Sequence, residues 1–233
     1  MSEKILNQFN QFCALNNKDG AMPISDKRWF IDNSKEGAGD IEGHYTLQDL
    51  WAARLVHLNL PEMHYDVGSR FDGFITHCLS FTQVTMFDIR PLPITIDGLH
   101  FFQTDATLLL NIPDNSIRSL SSLHAVEHFG LGRYGDPLDP DGHIKAIKSL
   151  QRVLAPSGNL YFSVPLGVET VVFNAHRVFY PKTIVSLFDE LKLVEFTIID
   201  RVCGKVERNV DWKKVTEKGH DYFCGCFHFT KGL

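Results

Sequence analysis

The segment at residues 64–105, HYDVGSRFDGFITHCLSFTQVTMFDIRPLPITIDGLHFFQTD, constrains this chain more than any other. It holds three short apolar runs: MHYDV (which begins one residue earlier, at Met63), QVTMFD and LHFFQTD. Each ends on or beside an acid, and turns bearing glycine or proline separate them. Such runs read as buried strands. Asp66, Asp88 and Asp105 then stand at the carboxyl ends of three successive strands. That is the edge at which an open α/β sheet binds its ligands.

Gly68 follows the first strand, and Asp88 comes 20 residues later. A glycine there lets the backbone approach a ligand, and an acid at that spacing can accept hydrogen bonds from ribose hydroxyls. Here the chain resembles the class I S-adenosylmethionine (SAM) dependent methyltransferases. Their first strand ends in an acid-x-Gly-x-Gly-x-Gly turn, their second in a ribose-binding acid, and their third near an adenine-binding acid. Asp66, Gly68, Asp88 and Asp105 match those positions. Ser69, Arg70, Ile89, Ala106 and His124 are expected to share the same SAM site. Arg70 and Asp72 replace two of the expected glycines, and Gly73 comes one residue late.

Before this segment, residues 1–43 are polar in places, as in NNKDG and DNSKEGAGD. Thr46 and Asp49 have the spacing of a capping box. Leu47, Leu50, Trp51, Leu55 and Leu58 then recur at helical spacing until Pro61, with Trp51 read as core. FDGFITHCLSF reads as the first crossover helix. RPLPITIDG, with two prolines, leaves room only for a turn or extended loop.

SIRSLSSL reads as a fourth strand, followed by the Gly-, Pro- and Asp-rich loop FGLGRYGDPLDPDG. A helix capped by Asp141 and stopped at Pro156-Ser-Gly158 should come next. NLYFSVP then forms a fifth strand, Pro181 opens another helix, and LVEFTIID and DYFCGCFHF close the chain as a hairpin.

SLSSLHAVEHF resembles the methyltransferase fourth strand running into a leucine-glutamate-histidine turn. IKSLQRVLAPSGNLYFSVP resembles the helix and strand that follow it. A closer resemblance is to an uncharacterised methyltransferase-like family often associated with surface-polysaccharide genes. Its QDLWAA helix, Asp-x-GSR-x-DG turn and DIRPL strand are reproduced at residues 48–53, 66–73 and 88–92. This resemblance implies a Rossmann-like α/β fold, with a seven-stranded, mostly parallel sheet of order 3-2-1-4-5-7-6 and helices on both faces. A helical extension over residues 1–60 should pack on a domain at 61–233. The implied activity is methyl transfer from SAM to a small polar acceptor, plausibly a sugar or glycan precursor.

Glu127 and His128 are the candidate catalytic pair, since a base is needed only where a hydroxyl acceptor must lose its proton. Arg133, Tyr134, Asp136, His176 and Arg177 are candidates for the acceptor pocket. Arg70 has two readings, a cation facing an anionic ligand or a surface partner of Asp72 or Asp88. A binding module that has lost the cofactor because of Arg70 is one rival. The other is a zinc hydrolase, because His124, Glu127 and His128 spell H-x-x-E-H. The strand before that motif and the glycines after it leave no room for the helix such a site needs. Cys224 and Cys226 lack zinc-ribbon spacing, and PLDPDG lacks the carboxylates of a calcium loop, so no metal is expected.

A net charge of -5 argues against a broad nucleic-acid surface. Five scattered cysteines suit reduced thiols. With no basic-apolar leader and no long apolar run, a cytoplasmic protein without a membrane span is expected. Oligomeric state is not legible.

Overall fold

The computed structural model describes residues 3–17, 22–24, 43–215 and 223–233. The polar stretch DNSKEGAGD lies outside them, as do residues 216–222 of the loop before the last strand. The chain divides into two compact units, residues 1–40 and 41–233. In the first, α1 (Glu3–Leu15) half-buries Ile5, Leu6, Phe9 and Cys13 along one face.

The second unit begins with α2 (Tyr45–Asn59), which buries Trp51, Ala52, Ala53 and Val56. Trp51 is core, as expected, and its indole Nε1 donates to Glu195 Oε1 at 2.8 Å. Leu60, left-handed at φ 38°, ends the helix just before Pro61. The capping box does not form. Thr46 already lies inside the first turn, no side chain caps the helix, and Gln48 and Asp49 turn inward and are buried.

β1 (Met63–Val67) leads into a π-turn over Phe71–Ile75, then α3 (Thr76–Leu79) and β2 (Gln83–Asp88). Residues 89–98 form no helix, as the two prolines predict, and deliver the chain to β3 (Leu99–Gln103). β4 (Ile117–Leu123) precedes a single 3-10 turn over Val126–His128. α4 (Gly142–Val153) follows. Asp141 occupies its N-cap position, but its side chain makes no capping bond. Nor does Pro156-Ser-Gly158 stop α4. The helix ends at Val153, and β5 (Leu154–Leu166) takes over at once, so that tripeptide lies inside the strand. Its cost is a break in the β4–β5 register between Ile117 and Ser119.

β6 (Thr170–Val172) and β7 (His176–Val178) make a separate two-stranded ribbon that the sequence did not announce. α5 (Pro181–Leu187) opens on its proline, and β8 (Leu191–Ile199), β9 (Val206–Glu207) and β10 (Phe223–Lys231) complete the fold. The sheet has eight strands, ordered β3-β2-β1-β4-β5-β10-β8-β9. The expected 3-2-1-4-5-7-6 order is present, with β10 seventh and β8 sixth. The count is corrected by β9, which pairs antiparallel with β8 at the edge. β10 runs antiparallel to both neighbours, and β1 to β5 are parallel.

One apolar cluster packs α4 and α5 against the sheet through Ile147, Leu150, Ile184 and Phe188. The other packs α2 and α3 against the opposite face through Trp51, Val56, Phe74 and Cys78. A mostly parallel sheet needs both faces covered, and these two layers cover them. From β1 the chain winds outward to β2 and β3, and from β4 the other way to β5. The gap between the carboxyl ends of β1 and β4 is therefore the switch point where such sheets hold ligands.

Candidate functional site

A cavity of about 380 Å³ opens at that switch point. Its floor is the turn after β1. Gly68 lines it with φ +73°, and its N–H donates to Phe87 O at 2.9 Å, tying the turn to β2. Asp66 and Ser69 do not line the cavity but lie beneath it, fully buried. Asp66 Oδ1 accepts from Ser69 N at 3.0 Å, and Oδ2 accepts from the hydroxyls of Ser69 and Ser121. Ser69 Oγ in turn accepts from Leu123 N at 2.9 Å. The pair thus locks β1 to β4 and fixes the turn. Burial pushes the Asp66 carboxyl up to about 6, although its hydroxyl and amide donors pull the other way.

Asp88 and Ile89 line the cavity from the end of β2. Asp88 is buried, and its Oδ1 accepts from Arg90 N at 2.8 Å and Arg90 Nε at 2.9 Å. Arg90 Nη2 reaches Oδ2 at 2.5 Å, and the guanidinium lies 4.9 Å from the centre of the Tyr134 ring. Asp105 and Ala106 line the cavity after β3. Asp105 Oδ1 accepts from Thr107 N and Oγ1 at 2.9 and 2.6 Å in an exposed turn. Arg70 stands at the mouth with its guanidinium 5.2 Å from the Tyr45 ring centre. Asp72 grips it in a bidentate pair at 3.0 and 2.6 Å, so the surface pairing is the arrangement adopted.

The other end of the cavity is built after β4. His124 sits at φ +49°, an unusual conformation for a non-glycine residue and a mark of local constraint. The H-x-x-E-H motif therefore does not lie on one helix. His124 precedes a single 3-10 turn that carries Glu127 and His128. Glu127 is 1% exposed, and its Oε2 has no hydrogen-bond partner among the described residues. Burial pushes its carboxyl up to about 8, so it is largely protonated at neutral pH. His128 Nδ1 donates to Ala175 O, which leaves Nε2 as the unprotonated nitrogen. Burial holds His128 down to about 4. His128 Nε2 and Glu127 Oε1 lie 3.7 Å apart, but with both groups neutral they form no ion pair at pH 7.

Arg133, Tyr134, Asp136 and His176 line the remaining wall. Asp136 organises the loop by accepting from the backbone N–H groups of Gly130, Gly132 and Tyr134. Arg177 does not line the cavity. Its buried guanidinium donates to the carbonyls of Phe129 and Pro140 at 2.6 and 3.2 Å and staples the loop from behind. Tyr45, Arg90 and Thr107 also line the cavity, although no spacing singled them out. Only Arg90 carried a signal, its place two residues after Asp88.

Residues 114–222 match a family described as Caenorhabditis protein of unknown function, DUF268. No curated protein matches the chain. Among solved structures, the [4+2]-cyclase SpnF superposes with a TM-score of 0.57 at 14% identity, covering 80% of each chain. The N-methyltransferase NodS from Bradyrhizobium japonicum, in complex with S-adenosylhomocysteine (SAH), gives 0.54 at 13% identity, over 80% of this chain and 87% of that one. The Burkholderia thailandensis 1,6-didemethyltoxoflavin-N1-methyltransferase, with 1,6-didemethyltoxoflavin and SAH bound, gives 0.54 at 14% identity, over 81% and 80%. At such identities the likeness establishes the fold, and this chain has the Rossmann-like fold of the class I SAM-dependent methyltransferases.

Proposed function

We propose that the protein transfers a methyl group from SAM to a small polar acceptor, with a sugar or glycan precursor as the first class to test. The observation that carries this is the cavity at the β1–β4 switch point. Gly68 forms its floor, Asp88 and Asp105 stand on one side, and a basic and aromatic wall stands on the other. The residues present suit the donor. Gly68 brings backbone to the cavity surface, Ile89 and Ala106 offer apolar contact for an adenine, and Asp88 is the candidate acceptor for the ribose hydroxyls. Bound SAM supplies an electrophilic methyl carbon. The chain must align the acceptor, exclude water and, for a hydroxyl acceptor, remove a proton.

His128 is the candidate for the last task, and its bond to Ala175 O supports this by fixing the tautomer with the Nε2 lone pair able to accept. Glu127, neutral at pH 7, donates a hydrogen bond to the acceptor rather than taking its proton. The extension is shorter than residues 1–60, because α2 packs in the core of the 41–233 unit, and the protein works in the cytoplasm on precursors of a surface polysaccharide.

A second reading, a binding module without SAM, is favoured by one observation, the three hydrogen bonds through which Arg90 occupies Asp88. Calorimetry with SAH separates the two. Wild type should bind, and Asp88→Ala should bind about tenfold more weakly, the worth of one charge-assisted hydrogen bond. If wild type fails to bind while Arg90→Ala or Arg70→Gly binds, the SAM-free module is the better reading.

A further inference from the structure

We infer that His44, His124 and Cys224 form a binding site for a zinc-class transition-metal ion behind the part of the cavity wall that His124 lines. One donor atom from each lies within 4.8 Å of the other two, and all three residues are buried. They come from distant parts of the chain: the residue before α2, the residue after β4 and the second residue of β10. The His44 and His124 rings stand 4.4 Å apart. Two imidazoles and one thiolate are a donor set suited to zinc, and three protein ligands leave a fourth position open.

The stronger observation is the state of His124. Gln48 Nε2 donates to Asp49 Oδ1 at 3.2 Å, which fixes the orientation of the Gln48 amide. Gln48 Oε1 then accepts the Ser163 hydroxyl proton at 2.8 Å. With that proton committed, Ser163 Oγ can only accept from His124 Nδ1, 3.0 Å away. His124 therefore carries its proton on Nδ1 and presents a bare lone pair on Nε2. That atom has no hydrogen-bond partner among the described residues, on a side chain only 8% exposed. A buried acceptor left unmatched is costly. A histidine that donates one N–H to a fixed acceptor while its other nitrogen stands free is the arrangement that metal-binding histidines adopt.

Cys224 completes the set. Its Sγ lies 3.4 Å from Gln48 Oε1, so the same amide touches the surroundings of two of the three ligands. Cys226 Sγ lies 3.5 Å from Cys224 Sγ and is a reserve sulfur beside the site. Tetrahedral zinc needs its donors about 3.5 Å apart, so closing the site asks for side-chain shifts of about an ångström. Burial is the largest influence on all three groups: it holds both histidines down, which keeps them neutral, and it holds the Cys224 thiol well up, so a metal must displace the thiol proton as it binds.

This set is not the H-x-x-E-H reading, because it uses His124 without His128 and adds a thiolate from the far end of the chain. His124 also lines the cavity proposed for SAM, but the test reads metal alone and needs neither cofactor nor acceptor. The full chain is stripped with chelator and titrated with Zn²⁺ and with Co²⁺, following bound metal by elemental analysis and the cobalt site by absorption. About one equivalent should bind, with tetrahedral cobalt bands and a thiolate-to-cobalt charge-transfer band. Cys224→Ser should lose that charge-transfer band. His124→Gln should lose stoichiometric binding, with circular dichroism checking that each variant is folded. Ser163→Ala, which frees the His124 ring, should weaken binding about 10–100-fold. No binding by wild type overturns the proposal. So does a thiolate band that survives in folded Cys224→Ser, or loss of metal in folded His128→Gln with retention in Cys224→Ser.

Discussion

At the scale of single residues, Gly68 shows how much and how little a motif says. Its position after the first strand marks a close approach of backbone to something. In the structure that something includes the chain itself, because a Cβ at Gly68 would stand 2.9 Å from Ala125 Cβ. With φ +73°, any side chain also pays the left-handed penalty, about 1–2 kcal/mol. Gly68→Val should therefore lower stability by about 2 kcal/mol or more in urea unfolding without ligand, besides abolishing SAH binding by calorimetry. Unchanged unfolding with lost binding would mean that only the ligand fills this space. Asp88 teaches the complementary lesson. Spacing placed its carboxylate at the sheet edge, but the capture of that carboxylate by Arg90 depends on side-chain direction, which spacing does not carry. Asp66 and Ser69, read as ligand contacts, proved to be the lock under the turn for the same reason.

Among elements, strands and helices were legible because their apolar periodicity matches what they bury. β1, β2 and β4 fall where MHYDV, QVTMFD and SIRSLSSL put them. Helix caps were not legible, because a cap depends on where the packing of neighbouring elements starts the helix. Asp49 was read as half of a capping box, but it is buried under the π-turn after β1. A Cβ on Gly73 would lie 2.0 Å from Asp49 Oδ2, so α2 packs this closely only because residue 73 is glycine. Gly73→Ala should cost about 1–3 kcal/mol of stability, the usual range for overpacking. Asp49→Ala in the same chain should recover much of it, which a double-mutant cycle measures. Additive losses would mean that the alanine methyl is accommodated without moving Asp49.

For the whole molecule, the balance of buried titratable groups sets a stability optimum that no motif contains. His64 is fully buried between Ser119 and Ser121, and burial holds it down to about 3. His143 is held down to about 4, again chiefly by burial. Their folded forms stay neutral where the unfolded chain takes up protons. Their contribution is thus present above about pH 6.5 and is lost as pH falls toward 4. Glu127 works in the other direction. Its folded carboxyl titrates at about 8 against 4.5 unfolded, so the folded state holds an extra proton across that window. Stability from Glu127 is full below pH 4.5 and drains as pH rises to 8. Asp49 and Asp66, both raised to about 6, drain earlier and are spent by pH 6.5. Seven histidines (His44, His64, His124, His128, His143, His176 and His228) are held below their ordinary value, chiefly by burial, so they dominate the acid side. They still favour higher pH just above 6.5, where the unfolded histidines shed their last protons, so the optimum of metal-free protein should lie above pH 6.5. Glu127→Gln, which keeps the shape and removes the titration, isolates the Glu127 part. Relative to that variant, wild type should lose stability steadily between pH 4.5 and 8, by about 1.4 kcal/mol per pH unit where one proton separates the two states. Urea unfolding of both proteins in chelator at half-unit pH steps measures the difference. A difference that does not change with pH above 6.5 would place the Glu127 titration below that range and return Glu127 to an ionised carboxylate at neutral pH, able to act as the base in place of His128.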